Sequence, residues 1–428
     1  MAIEVAAAPP SGYWPRRWLL AAGCFLAIFV CYVDRVNISF AILPMSAQYG
    51  WAKTTQGWVL SSFFIGYLGT QLLGGWLATR IGGRALLGFG VLWWSAFTFI
   101  TPLAAELSFA ALIAARIGMG LGEGVAFPSI YQLFGRWIPV RERARAAALN
   151  GSGMPLGTIA ATVATPWLVQ AHGWPSVFYV FGLLGLFWYA YWRATSSERP
   201  EDARGIHPAE LALIRANTAA PAAHPAVPWG KILRSSAVWA LVFNHFCSNW
   251  GFYLILSWLP RYFADAHGLD LVGAGYASLL PWLAMFALTN VGAQIADGLL
   301  ARGHSVVFVR KLMQSVAFLS SAAALLAIGQ VHSVGLAIAL MSAALGLGSF
   351  ALSGYASNHL DIAPRYAGAL MGLSNTAGTL PGVIGVAVTG YILEATGSWA
   401  LVFGIAAGLY VAGTAVWLRY AKGETLFE

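Results

Sequence analysis

Residues 17–38 read RWLLAAGCFLAIFVCYVDRVNI, and this stretch decides what kind of protein the chain is. Two basic residues, Arg16 and Arg17, lead into an uncharged apolar run that ends at an acid and a base side by side, Asp34 and Arg35. A signal peptide has a shorter apolar core and no ionic pair within it. The stretch is therefore read as a retained membrane span of about the 20 residues that cross a bilayer core.

The rest of the chain agrees. Of its 428 residues, 59% are hydrophobic and only 9% are charged, against about 25% charged in an ordinary soluble domain. That excludes a soluble single-core protein. Apolar runs punctuated by Gly, Pro and charge predict twelve helices near 17–38, 56–78, 85–103, 107–135, 144–170, 174–192, 237–262, 272–300, 309–329, 333–356, 366–394 and 399–420.

The net charge of +8 invites a nucleic-acid partner, but the placement of the basic residues argues against one. With the N-terminus cytoplasmic, 20 of the 24 Lys and Arg fall in cytoplasmic segments, Lys53 and Arg261 fall opposite, and Arg35 and Arg116 remain within spans. This is the positive-inside asymmetry of a polytopic membrane protein with both termini in the cytoplasm, expected in the cell (inner or plasma) membrane.

One long polar segment, 193–236, holds Pro200, Pro208, Pro221, Pro225 and Pro228 and divides the spans six and six. The expected organisation is a tail at 1–16, a six-helix bundle at 17–192, a cytoplasmic linker at 193–236, a second bundle at 237–420 and a tail at 421–428. Within the linker, Pro208–Arg215 is spaced either as a short amphipathic helix on the membrane surface or as a partly ordered connector.

A shift of 225 residues superposes Pro139 on Pro364, Asn150 on Asn375, Gly153 on Gly378, Gly157 on Gly382, Trp174 on Trp399 and Phe178 on Phe403. Repeats in the same orientation predict an all-α fold of two bundles related by a pseudo-twofold along the membrane normal, with a central site and alternating access.

Charge inside a span costs several kcal/mol unless it faces a hydrated cavity and is paired, as a rough expectation. Four such residues stand out. Asp34 and Arg35 lie near the far end of the first predicted helix beside Tyr32, Asn37 and Ser39. Arg116 and Glu123 are seven residues apart on one face of the fourth, about 10 Å along its axis. Guanidinium groups suit a carboxylate or phosphate, since they stay charged and present a planar fork. The acids suit protons taken up and released through a cycle. The alternative, that Asp34 and Glu123 only neutralise Arg35 and Arg116 for insertion, stays open.

Tyr67, Tyr253, Asn249 and Asn375 have side chains that can complete an anion site, although aromatic packing explains such tyrosines equally well. Pro155 and Pro381 can kink their helices toward a cavity. His245, close to Asn244 and Asn249, can titrate near neutrality. Glycines 118, 120, 122, 124, 346 and 348 are read as close helix packing. Cys24, Cys31 and Cys247 lack any metal-ligand or disulfide spacing, and no cofactor is implied.

Gly75-Trp-Leu-Ala-Thr-Arg-Ile-Gly-Gly-Arg84 resembles the loop signature of the major facilitator superfamily, with Thr79 in place of its acid and Gly83 in place of one arginine. Arg80 and Arg84 remain for a cytoplasmic gate. The segments Tyr32–Ser39, Gly122–Pro128, Gly292–Asp297 with Val309–Leu312, and Asn358–Ala367 resemble the anion:cation symporter family over most of residues 30–400. That family includes sugar-acid and hexuronate symporters, sialic-acid carriers, vesicular glutamate carriers and plastid phosphate carriers.

The resemblance places the family's first-helix acid and arginine on Asp34 and Arg35 and its fourth-helix arginine and acid on Arg116 and Glu123, the acids being the proton sites of its sugar-acid branch; Tyr32, Tyr67, Tyr253, Asn249 and Asn375 are added from the residues themselves as anion ligands. The resemblance further implies gating by Arg80, Arg84, Asp297, Arg310, His359 and Asp361. The expected protein is a monomeric secondary transporter carrying a small organic anion with protons; sodium-coupled phosphate or carboxylate transport is the rival. A solute sensor signalling through the linker has no output domain to use, and no enzymatic constellation occurs.

Overall fold

The computed structural model describes residues 13–217 and 227–427, and every regular element in it is helical. In chain order these are α1 (Arg16–Tyr49), α2 (Lys53–Ile81), α3 (Gly83–Leu107), α4 (Phe109–Glu123), α5 (Ala126–Trp137), α6 (Arg143–His172), α7 (Pro175–Thr195), α8 (Pro208–Asn217), α9 (Trp229–Ile232), α10 (Ser236–His267), α11 (Leu271–Ala301), α12 (Val306–Ile328), α13 (Val334–Gly348), α14 (Tyr355–Ile362), α15 (Ala367–Thr396) and α16 (Trp399–Tyr420). Helices are what a bilayer permits, because each satisfies its own backbone polar groups without water.

Eight segments meet both length and hydropathy requirements for a span: α1, α3, α4 with α5, α11, α12, α13 with α14, α15 and α16. The remaining long helices, α2, α6, α7 and α10, have 29, 30, 21 and 32 residues, enough to cross about 30 Å at about 1.5 Å per residue. The twelve-span reading of the sequence corresponds to these twelve segments.

Two predicted helices are interrupted. The fourth breaks at residues 124–125, directly after Glu123, and the tenth passes through a 3-10 turn at Ser349–Leu352. The breaks occur at equivalent points of the repeat: Phe109–Glu123 and Val334–Gly348 are 225 residues apart at both ends (334 − 109 and 348 − 123). The first helix also runs eleven residues past its predicted end at 38, through Pro44, and stops where Gly50 adopts φ +66°, the left-handed geometry that terminates a helix. Asp34 and Arg35 are therefore near the middle of α1 and buried, not at its far end as the sequence suggested.

The chain gathers into two compact units. The first comprises 13–35, Ile65–Thr158 and 175–217. Its helices meet through glycines: a Cβ on Gly66 of α2 would lie 2.0 Å from the Ile117 carbonyl oxygen of α4, and one on Gly157 of α6 would lie 2.4 Å from the Phe29 carbonyl oxygen of α1. Gly118 and Gly122 admit the Phe97 and Trp93 rings of α3. Close packing holds at Gly118, Gly122 and, just past α4, Gly124.

Also in this unit, the linker segment Pro208–Asn217 is a helix, and Glu210 on it caps α1. Its carboxylate accepts from the backbone N–H of Arg16 (3.0 Å) and Arg17 (3.1 Å), pairs with the Arg17 guanidinium, and takes the Tyr13 hydroxyl proton in a hydrogen bond. Burial, then the bond to Glu210, raises the Tyr13 pKa. Its own backbone N–H, then Arg215, lowers the Glu201 pKa.

The second unit comprises Val36–Phe64, Ile159–Trp174 and 227–427. It brings Lys53 of α2 and Arg261 of α10 onto one carboxylate, Asp265, with Arg261 Nε at 2.9 Å. These are the two basic residues that the sequence placed opposite the other twenty. Thr54 likewise donates to Glu394 of α15 from its backbone N–H at 2.9 Å. Phe64 of α2 stacks at 4.5 Å on Tyr253 of α10 and fits against Gly382 of α15.

Candidate functional site

In the first unit, the α4 break ends the helix at Glu123 and turns that carboxylate toward α1. There Arg35 Nη2 and Nε approach Glu123 Oε2 at 2.7 and 3.1 Å, and the Cys31 thiol reaches the same oxygen at 3.0 Å. Oε1 is buried with no hydrogen-bond partner. The pair is almost fully enclosed, its side chains 3% and 0% exposed. Taking two ions out of water costs several kcal/mol each, roughly, so the geometry must be good for the pair to persist.

Aromatic faces complete the arginine's surroundings. The Arg35 guanidinium lies 4.7 Å from the Tyr32 ring centroid and 4.9 Å from that of Tyr67, and Nη1 donates to the Tyr32 hydroxyl at 3.4 Å. A cation over two ring faces gains electrostatically, by about 1 kcal/mol or more per ring when desolvated. Tyr32 and Arg35 of α1, Tyr67 of α2 and Glu123 of α4 thus form one cluster.

Asp34, the next residue back on α1, points elsewhere and is fully buried. Neither carboxylate oxygen makes a well-formed hydrogen bond; the Trp94 indole of α3 lies alongside, and Glu123 and Arg116 are within electrostatic reach. Arg116, also buried, has Nη1 3.1 Å from the Met119 sulfur and feels both Glu123 and Asp34. The four ionisable groups form one electrostatically coupled set inside the first unit. It holds two guanidinium groups and two carboxyl groups, of which Arg35 and Glu123 form an ion pair.

Trp94 was not singled out in the sequence, and Cys31 only as a cysteine without metal-ligand or disulfide spacing, not as a partner of Glu123. Cys31 had a usable signal, since it precedes Arg35 by four residues and so shares its helix face. Trp94 had none, because only packing of α3 against α1 brings it to Asp34.

The remaining predicted ligands lie in the second unit. Asn249 of α10 donates to the Gly378 carbonyl of α15 at 2.7 Å, while Tyr253 is buried against Phe64. Asn375 is half-buried, and its backbone carbonyl takes the Thr379 hydroxyl at 2.9 Å.

Among the expected gate residues, Arg310 of α12 grips Asp361 of α14 with two bonds, at 2.7 and 3.1 Å, and donates to the Ser353 carbonyl at 3.0 Å. His359 bonds instead to Ser374. Asp297 is exposed and makes no ion pair among the described residues. In the first unit, Arg80 is exposed over Trp76. Arg84 donates through its backbone N–H to Glu198 (2.8 Å) and through Nε to Ser196 (3.1 Å), and Arg136 pairs with the same Glu198. Glu198, just past α7, supplies a carboxylate near the loop where Thr79 replaces the signature acid. Among the described residues no three His, Cys, Asp or Glu side chains gather as a metal site.

Comparison with known proteins gives these features a context. The family profile described as Major Facilitator Superfamily matches residues 24–386. The chain is 45% identical over 415 residues to a sodium-dependent phosphate transport protein of Arabidopsis thaliana chloroplasts, covering 97% of this chain and 81% of the relative. It is 45% identical over 421 residues to a chloroplastic ascorbate transporter of the same plant, covering 98% and 78%. Among solved structures, a D-xylose-proton symporter superposes with a TM-score of 0.77 over 96% of this chain and 99% of that one, at 15% identity. At that identity the likeness speaks for the all-helical fold alone.

Proposed function

The chain belongs to the Major Facilitator Superfamily, and from that premise we propose that it moves a small organic anion across a membrane together with protons, by alternating access of its two halves. It is a transporter and not an enzyme, and its relatives carry anions by name. The finer reading rests on one observation: a buried arginine held by a single oxygen of a buried glutamate whose other oxygen has no hydrogen-bond partner.

The physical logic is competition. A substrate carboxylate can take the Arg35 fork only if Glu123 gives it up. Protonating Glu123 at Oε1 removes the charge that holds Arg35, so proton arrival and anion binding favour each other. Tyr32 and Tyr67 keep the guanidinium in place during the exchange, and Arg116 supplies the second positive charge. Asp34, coupled to Glu123 and Arg116, is the second proton site. Asn249, Tyr253 and Asn375 are the remaining anion ligands of this reading.

In this reading Arg310, Asp361 and His359, together with Arg80, Arg84 and Asp297, control access at the end where the basic residues collect, and the division into bundles 17–192 and 237–420 is the moving division. The protein works as a monomer with both termini on the cytoplasmic side, where the basic residues collect. The charge asymmetry sets orientation and not the organelle; the chloroplast relatives make a plastid membrane a natural alternative to a cell membrane.

Sodium-coupled phosphate transport is the second reading, favoured by the sodium-dependent phosphate transport protein among its relatives. Uptake into proteoliposomes separates the two. Proton coupling requires that an inward pH gradient drive accumulation of ascorbate or a sugar acid with choline replacing sodium; loss of all uptake on that replacement would hand the case to sodium.

A further inference from the structure

Buried in the second unit is a second group of titratable side chains, of which the proposed cycle uses only His359, and that as a gate residue. His245 of α10 places Nδ1 3.1 Å from the Ser374 hydroxyl of α15, and the same hydroxyl lies 2.7 Å from Nε2 of His359 on α14. His359 Nδ1 lies 2.8 Å from the Ala356 carbonyl oxygen one turn back on its own helix. Ser374 is fully buried, and His359 and His245 are 1% and 6% exposed.

The backbone carbonyl sets the direction of every bond in this chain. It can only accept, so His359 Nδ1 carries a proton and donates it. In neutral His359, Nε2 is then the acceptor, and the Ser374 hydroxyl donates to it in preference to the Met371 carbonyl, which is farther away at 3.2 Å. The serine oxygen in turn accepts from His245 Nδ1–H. That leaves His245 Nε2 as the one open basic position of the chain.

Packing holds the chain in register. A Cβ on Gly378 would lie 2.7 Å from His245 Cδ2 and 2.9 Å from Nε2, so only glycine there lets the imidazole lie against α15. Asn249, one turn further along α10, bonds the Gly378 carbonyl at 2.7 Å and fixes the same helix contact. The titratable and charged groups around the chain are Tyr355 of α14, whose ring lies 5.0 Å from that of His245, Cys247 and Tyr253 of α10, Tyr410 of α16, and the Asp361–Arg310 pair. The only full charges among these already neutralise each other.

We propose that His245, Ser374 and His359 form a proton-binding site of the second half, in which a proton accepted at His245 Nε2 is handed through the Ser374 hydroxyl and held on His359. The steps balance. The proton bonds to His245 Nε2; the His245 Nδ1–H bond breaks as its proton passes to Ser374 Oγ; the Ser374 O–H proton passes to His359 Nε2. His245 ends neutral with its proton on Nε2, Ser374 ends as a hydroxyl donating the other way, and His359 ends as imidazolium. The Ala356 carbonyl is not a base, so the proton leaves only by the route it entered, and the site stores a proton without conducting one through.

The site's role in transport rests on the proton-coupled reading above, but its existence does not, and the test separates the two. Full-length protein with nitrogen-15-labelled histidine in nanodiscs would be titrated by NMR, beside uptake measurements on the same preparation. Expected are a Nδ1–H tautomer for neutral His359, with His245 and His359 responding at one common midpoint. In Ser374→Ala that midpoint should split into two, roughly a pH unit or more apart. A Nε2–H tautomer of His359 in the native protein, or histidines that already titrate independently, overturns the proposal without recourse to any variant. Coupled titration with uptake indifferent to a pH gradient would leave this site standing and remove the proton-symport reading; independent titration with proton-driven uptake would do the reverse.

Discussion

Glu123 meets Arg35 with one oxygen only. Both guanidinium nitrogens that reach it, Nε and Nη2, converge on Oε2, and Cys31 adds its thiol to the same atom, while Oε1 stays unbonded in a buried setting. A fork-to-fork pair would use both oxygens and hold harder. Pairing through one oxygen gives up one of the two bonds of a fork-to-fork pair, as the proposed exchange of Glu123 for a substrate anion requires.

Glu123→Gln should therefore uncouple the carrier. The amide keeps the shape but cannot lose or gain a proton, so counterflow of labelled for unlabelled anion should persist while accumulation driven by a pH gradient disappears. Full accumulation in that variant would remove Glu123 from the proton path.

Arg35→Lys tests the fork. Lysine keeps the charge but loses the bidentate geometry and most of the stacking between Tyr32 and Tyr67. Losing one hydrogen bond to a charged partner costs about 1.5–3 kcal/mol, which corresponds to roughly 10- to 100-fold weaker anion binding. A thermal-shift titration would read this directly, and an unchanged midpoint concentration would exclude Arg35 as a ligand.

Packing makes a sharper prediction at two glycines of α2. A Cβ at Gly66 would fall 2.0 Å from a backbone oxygen of α4, whereas one at Gly69 would sit 3.6 Å from a Leu121 methyl. Gly66→Ala should cost at or beyond the upper end of the about 1–3 kcal/mol typical of overpacking, because backbone cannot yield as a side chain can. Gly69→Ala should melt within a degree or two of the parent; equal melting of the two variants would contradict the α2–α4 contact.

At the start of α1, linkage fixes the sign of a pH effect. The Tyr13 pKa is raised in the folded protein, so the docking of Tyr13 on Glu210 contributes fully below the ordinary tyrosine pKa of about 10 and is lost as pH rises through the raised value. The ultraviolet difference between parent and Tyr13→Phe should show a phenol ionising later than free tyrosine, and Glu210→Gln should bring it earlier. An ordinary titration in the parent would mean that the α8 carboxylate does not hold this hydroxyl.

Much of this was legible in residues 17–38, in the apolar runs after them and in the repeat of 139–178 at 364–403. The apolar runs, the basic residues gathered on one side, and the 225-residue shift together define twelve spans in two related sets, because bilayer thickness and backbone hydrogen bonding leave few alternatives. The ionic residues Asp34, Arg35, Arg116 and Glu123 also stood out, since charge in an apolar run is costly and conspicuous. Less legible were the ends: α1 passes through Pro44 to Gly50, and α4 stops at Glu123, because local turn geometry and neighbouring helices decide where an apolar helix breaks.

Pairing was beyond the sequence's reach. Asp34 and Arg35 are neighbours in the chain, yet one lies beside Trp94 and the other on Glu123, and His245, Ser374 and His359 come from three helices that no periodicity links. The sequence alone determined that this chain lives in a bilayer, how often it crosses, and which buried charges must be satisfied, because transfer from water to hydrocarbon acts residue by residue. Only the tertiary structure decided which charge meets which, since that depends on distances of about 3 Å set by helix rotation and glycine contacts, and no one-dimensional spacing contains them.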